Sequence, residues 1–186
     1  MRQGVDTKLT HAPTPTAFGE PLLTSLSAPT VPSIVLDTNV VLDWLVFNDP
    51  RSAPLAAAIV RRQVRWVAIR AMRDELAAVL QRGLAAARGA DVSAVLAAWD
   101  AHAETRAMPT HPSGSMQLRC SDPDDQMFLD LADAAGAHWL LSRDHAVLRL
   151  RRRAASRGFV IAKPEDWPDR AQEKGRPKPP LLATPQ

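Results

Sequence analysis

Four short apolar runs limit what this chain can fold into. They are residues 33–36 (Ser-Ile-Val-Leu), 66–69 (Trp-Val-Ala-Ile), 138–142 (His-Trp-Leu-Leu-Ser) and 159–162 (Phe-Val-Ile-Ala). Each is too short for a buried helix and lacks polar alternation, which predicts strands buried on both faces, as in a parallel sheet. Segments of helical spacing lie between them. Val40, Val41, Trp44 and Leu45 form one, and Leu55, Ile59 and Val60 mark a helix over residues 53–62. Met72, Leu76, Val79, Leu80 and Leu84 keep one buried face over residues 71–87. Asp91 and Ser93 start a further helix, expected to reach about residue 106. Asp122 and Pro123 are expected to open the next one as N-cap and first helical residue. Phe128, Leu129, Ala132 and Ala135 would be its inner face and Gly136 its stop. Residues 146–155 read as a short, very basic helix. This alternation predicts an α/β fold, a three-layer α/β/α sandwich with a central, mainly parallel sheet.

Proline placement sets the expected boundaries. Of 16 prolines, five lie in the first 32 residues and five in the last 19, with none between Pro54 and Pro109. We therefore expect a flexible leader over 1–30 (or a start codon placed too early), a folded domain over 31–168 and a flexible basic tail over 169–186. The tail carries Arg170, Lys174, Arg176 and Lys178 and is expected to be solvated rather than a nucleic-acid arm. The leader lacks the apolar core of a signal peptide, and no run approaches the roughly 20 apolar residues of a membrane helix. The single Cys120 excludes a disulfide framework and a multi-cysteine zinc site. A cytoplasmic protein with no membrane partner is the expectation. The formal charge is +3, yet residues 31–168 hold 17 basic and 16 acidic side chains. Acids and bases are thus segregated rather than one sign dominating.

The acids fall where an α/β sheet builds its sites. Asp37 follows the first apolar run and Asp144 the third, and ligands bind beyond the carboxyl ends of such strands. The Asp122-Pro123-Asp124-Asp125 stretch can add a third contribution, and Glu75 a fourth. Carboxylates gathered together take up protons unless a cation neutralises them. All-oxygen ligands suit Mg²⁺ or Mn²⁺, and paired divalent ions serve phosphodiester hydrolysis. Each acid also has an ordinary use. Asp37 and Asn39 could cap a helix, Asp122 could be an N-cap, Asp124 could answer the helix dipole, and Glu75 could be a solvated face residue. Their combination in this chain order is the informative signal.

That order resembles the PIN-domain family of metal-dependent ribonucleases over about residues 33–167. The resemblance rests on Ile34-Val35-Leu36-Asp37-Thr38-Asn39-Val40, on Glu75 in Arg73-Asp74-Glu75-Leu76, on residues 122–132 from Asp122-Pro123-Asp124-Asp125 to Ala132, and on Leu140-Leu141-Ser142-Arg143-Asp144. It implies a metal-dependent endoribonuclease with Mg²⁺ or Mn²⁺ held by Asp37, Glu75, Asp125 and Asp144. Asp122 would be an auxiliary ligand, and Asn39 and Ser142 would orient the acids. The chain looks most like bacterial toxins of toxin–antitoxin pairs, which implies RNA as substrate, a small antitoxin partner over the active site and a homodimer formed through helices. Departures are the long leader, the Ala/Arg-rich composition and the lack of Tyr.

Substrate phosphates need cations. Arg143, Arg149 and Arg152 are the expected contacts, from a cluster that also holds Arg151, Arg153 and Arg157. A solvated helix face is the competing reading of Arg151-Arg152-Arg153. Trp66 and Trp139 are expected in the core, and Cys120, His111 and His145 outside the chemistry. Two other functions remain open. A PIN-like module could bind RNA or protein without cutting, or a Mg²⁺ phosphatase of the haloacid-dehalogenase type could share the strand-end Asp37. The phosphatase needs a second Asp two residues on, where this chain has Asn39.

Overall fold

The computed structural model describes residues 31–84, 87–108 and 118–167. The expected leader and tail, His111 and most of the 108–115 loop lie outside the described residues. Five strands form one sheet: β1 (Ser33–Leu36), β2 (Arg65–Ile69), β3 (Ala103–Arg106), β4 (Trp139–Leu141) and β5 (Val160–Ala162). Their spatial order is β3-β2-β1-β4-β5, and every pairing is parallel. Seven helices accompany them among the described residues: α1 (Thr38–Leu45), α2 (Ala53–Val60), α3 (Arg70–Val79), α4 (Val92–His102), α5 (Gln126–Ala134), α6 (His145–Leu148) and α7 (Arg151–Ala155). This is the expected α/β sandwich, with the sheet wholly rather than mainly parallel.

The central strand is the one with the most uniformly apolar sequence. Ile34, Val35 and Leu36 of β1 are at most 1% exposed, as a strand flanked on both edges and covered on both faces must be. β1 pairs with β2 on one side and β4 on the other, Leu36 lying opposite Leu141. The strand order thus turns at β1 and β4, the kind of switch point where α/β sheets leave a crevice. Around it pack Met72, Leu76 and Leu80 from α3 and the turn after it, and Phe128, Leu129 and Leu131 from α5. The buried face expected for residues 71–87 thus packs into the core through Met72, Leu76 and Leu80. Trp66 and Trp99 meet edge-on at 4.5 Å between ring centroids, each about 1% exposed.

Four boundaries differ from the sequence expectation. The helix expected over 71–87 ends as α3 and passes into a wide turn, Leu80–Leu84, because Gly83 takes φ 102°. Only glycine occupies that region without steric cost. The helix expected to reach residue 106 ends at His102, and the polar segment Ala103–Arg106 pairs with β2 as an edge strand. Its Glu104 bonds Arg106 at 2.7 Å, so exposed charges replace the apolar signature of a strand. The helix expected from Asp122 starts at Gln126 instead. Asp122 caps a tight turn by accepting from Asp124 N at 3.0 Å. Finally, the basic helix over 146–155 is broken into α6 and α7 around Arg149 and Leu150.

Candidate active site

The carboxyl ends of β1 and β4 carry the first pair of acids. Asp37 follows β1, and its amide donates to Leu141 O at 3.0 Å, extending the pairing by one residue. This brings Asp37 beside Ser142, the residue after β4. Ser142 Oγ donates to Asp37 Oδ2 at 2.5 Å, and the same oxygen accepts from Asn39 Nδ2 at 2.7 Å. Asp37 Oδ1 has only a long contact, 3.4 Å, from Asn39 N. Asn39 is fixed in turn, since its Oδ1 accepts from Arg143 N at 3.1 Å. The expected orienting roles of Asn39 and Ser142 thus have a concrete geometry.

Asp144 shares the Ser142 hydroxyl. Its amide donates to Ser142 Oγ at 2.8 Å, and its Oδ1 caps α6 by accepting from Ala146 N at 2.5 Å. Among the described residues its Oδ2 has no hydrogen-bond donor. Asp37 caps α1 and Asp144 caps α6, so the ordinary capping use is real for both. It accounts for only part of each carboxylate.

Glu75 and Asp125 have no such use. Glu75 lies on α3 between the buried Met72 and Leu76, and its Oε2 is buried with no hydrogen-bond partner. Thr38 Oγ1 is also buried and without a well-formed bond. The Thr38 hydroxyl nevertheless lies close enough to favour the ionised Glu75, while burial and the charges of Asp37 and Asp124 raise its pKa. Asp125 stands just before α5 but makes no side-chain cap, and its Oδ2 is likewise buried and unpartnered. Buried carboxylate oxygens without a partner are uncommon, and a bound cation is one way to satisfy them.

The electrostatics tie these residues together. Asp125 is pushed up to about 7, first by burial and then by the charges of Asp37, Asp144, Asp122 and Glu75. Those are the four other expected metal ligands. Burial also raises Asp37, against the hydrogen bonds from Ser142 and Asn39 that favour its ionised form, with Asp144 adding to the rise. Among the described residues, no three Asp, Glu, His or Cys groups are drawn close enough to form a finished metal cage. An all-oxygen set with two buried unpartnered oxygens fits a divalent ion such as Mg²⁺ or Mn²⁺.

The expected substrate arginines part ways. Arg143 turns its guanidinium to acids outside this cluster: it pairs with Asp43, with Asp49 at 3.4 Å and with Glu165 at 2.8 Å. Arg149 and Arg152 are exposed, and Arg149 lines a recess next to α6. Trp66 is buried as expected, whereas Trp139 is half-buried against Trp167, centroids 5.3 Å apart. Cys120 is a free, half-buried thiol whose pKa is raised by burial. Its amide donates to Gln126 Oε1 at 2.8 Å, and Gln126 Nε2 donates to Leu118 O at 2.7 Å. Gln126 thereby fixes the strand-like segment leading to Asp122. The sequence reading missed Gln126 and Thr38, although both stand beside a proposed acid.

A family profile described as PIN domain matches residues 33–146, more than half of the chain. No curated protein sequence matches the chain significantly. The matched span holds Asp37, Glu75, Asp122, Asp125 and Asp144, and among the described residues no helix is long and apolar enough to cross a membrane.

Proposed function

Since the chain belongs to the PIN-domain family, in which cleavage of nucleic acid with divalent metal is general, we propose that it is an endoribonuclease using Mg²⁺ or Mn²⁺. The observation that carries this reading is Asp125. Its buried Oδ2 is unpartnered, and four neighbouring acids and burial push its pKa to about 7. A divalent ion held there would neutralise these charges and acidify water for attack on a phosphodiester. Asp37, Glu75, Asp125 and Asp144 are the residues we assign to holding it, with Asp122 auxiliary.

The chain's own part is positioning. Ser142 and Asn39 hold Asp37 Oδ2 and leave Oδ1 nearly free. Asp144 gives one oxygen to α6 and keeps the other. Glu75 and Asp125 bring oxygens that no protein donor satisfies. Asp37 and Asp144 are thus oriented by hydrogen bonds before a metal or substrate arrives.

Residues 31–168 form the proposed nuclease unit, flanked by leader and tail. We further assign the chain to a toxin–antitoxin pair, acting in the cytoplasm with a small antitoxin protein over the acids and with a homodimer as its working form. That assignment rests on the sequence resemblance. Incubating the purified chain with single-stranded RNA and Mn²⁺ tests the nuclease reading, which predicts cleavage that EDTA stops. Inducible expression tests the toxin role, which predicts growth arrest relieved by a small protein encoded next to it. Hydrolysis of a small phosphomonoester in place of RNA would point to a phosphatase instead.

A further inference from the structure

We propose that a recess beside the acids is a phosphate subsite, built to hold the RNA backbone next to the bond being cut. This rests on the nuclease reading of the acid cluster. The recess has a volume of about 520 Å³ and lies between α6, the start of α7 and the end of β5. His145, Arg149 and Arg151 line one wall, and Ala162, Lys163 and Glu165 the other.

Its place in the fold connects it to the acids. His145 directly follows Asp144, and Ala162 O accepts from Ser142 N at 3.0 Å. Ser142 in turn bonds Asp37 at 2.5 Å. The recess therefore begins one residue from Asp144 and is linked to Asp37 through Ser142, on the same carboxyl edge of the sheet.

Its charge suits a polyanion. Arg149, Arg151 and Lys163 are exposed, and none is in an ion pair among the described residues. Glu165 is already engaged by Arg143 at 2.8 Å, leaving Asp166 as the unpaired acid of the lining. Three uncommitted cations around one cavity, beside a cluster of acids that would repel a phosphate, mark where the backbone can be held. Leu148, Ile161 and Ala162 form part of the lining, and the cationic rim of Arg149, Arg151 and Lys163 suits phosphodiester groups.

Binding in EDTA separates this subsite from cleavage. The probe is a fluorescently labelled single-stranded RNA oligonucleotide, titrated with the full chain at several salt concentrations. Combining Arg149→Ala, Arg151→Ala and Lys163→Ala should weaken binding at least about tenfold at moderate salt. The slope of log affinity against log salt should fall by about 2, from roughly 0.7 per lost phosphate contact. Arg61→Ala is the control, since Arg61 closes α2 at the opposite, amino end of β2. It should change neither quantity. Arg149→Lys with Arg151→Lys should keep the wild-type slope, which guards against misfolding as the cause. If the triple variant binds as the wild type does, or the wild type binds no RNA, the subsite is overturned. If RNA binds through these residues but Mn²⁺ produces no cleavage, the subsite stands and the nuclease reading fails.

Discussion

Ser142 and Asp37 are 105 residues apart in the chain and share a 2.5 Å hydrogen bond. The bond spans the ends of β1 and β4, and the Ser142 hydroxyl also accepts from the Asp144 amide at 2.8 Å. One hydroxyl thus ties the Asp37 carboxylate to the Asp144 backbone. Donating to Asp37 Oδ2 while accepting from Asp144 N uses both capacities of a hydroxyl, its proton and a lone pair. Ser142 has no exposed surface, so water cannot substitute for it.

Ser142→Ala should therefore cost roughly 1–3 kcal/mol, the range for leaving a buried polar group unsatisfied. Urea denaturation measures it. Mn²⁺ affinity, read by calorimetry, should fall roughly 10- to 100-fold, as for other residues that orient metal ligands. An unchanged affinity would show that Asp37 is held by Asn39 alone.

The metal-free protein should lose stability as pH rises from the acid range towards 7. Asp125 titrates near 7 in the folded chain, above the 3.8 of an ordinary carboxyl, so the folded state binds the extra proton between those values. Stability is then highest on the acid side and declines up to about pH 7, where the proton leaves. Mn²⁺ should raise the melting temperature more at pH 8 than at pH 5. Thermal melts in EDTA and in Mn²⁺ across that range check both signs.

Asp125→Asn should stabilise the metal-free protein at pH 8 by roughly 2–4 °C, the shift expected from about 1 kcal/mol in a chain of this size. It removes a charge that Asp37, Asp144, Asp122 and Glu75 oppose. At pH 5 the gain should vanish, because wild-type Asp125 is then already protonated. The stabilising effect of Mn²⁺ should vanish at both pH values.

Arg143→Ala should destabilise the fold by roughly 1–3 kcal/mol, because the half-buried Asp43 would lose its charged partner, whereas Asp49 keeps Arg51 at 2.8 Å. The salt slope of RNA binding should stay unchanged, since the Arg143 charge is already matched by three carboxylates. A slope reduced by about 0.7 would show that Arg143 reaches a phosphate after all.

How much of this was readable in the sequence depended on what each signal measures. The central strands were legible because strands covered on both faces must be apolar throughout, as Ile34, Val35 and Leu36 are. β5 is an edge strand that was apolar enough to be found although its Val160 is exposed. Ala103–Arg106 was not, because an edge strand needs only backbone pairing and can carry Glu104 and Arg106 outward. Gly83 was hidden inside a continuous helical pattern, since periodicity does not report φ. The acids could be picked out by their places at strand ends and helix starts. Their burial, and the orphaned oxygens of Glu75 and Asp125, come from packing between elements distant in the chain. Arg143 shows the same gap. Its position beside Asp144 suggested a phosphate contact, while its side chain reaches α1 and the turn at Pro164–Asp166.

The central claim is that the acid cluster cuts RNA with a divalent ion. Its most direct test is the cleavage rate of single-stranded RNA at pH 8, titrated with Mn²⁺, for the wild type and Asp125→Asn. We predict metal-dependent cleavage by the wild type, abolished by EDTA, and a loss of roughly 100-fold or more in a folded Asp125→Asn protein. Cleavage that survives EDTA, or equal rates for the two proteins, would contradict the account.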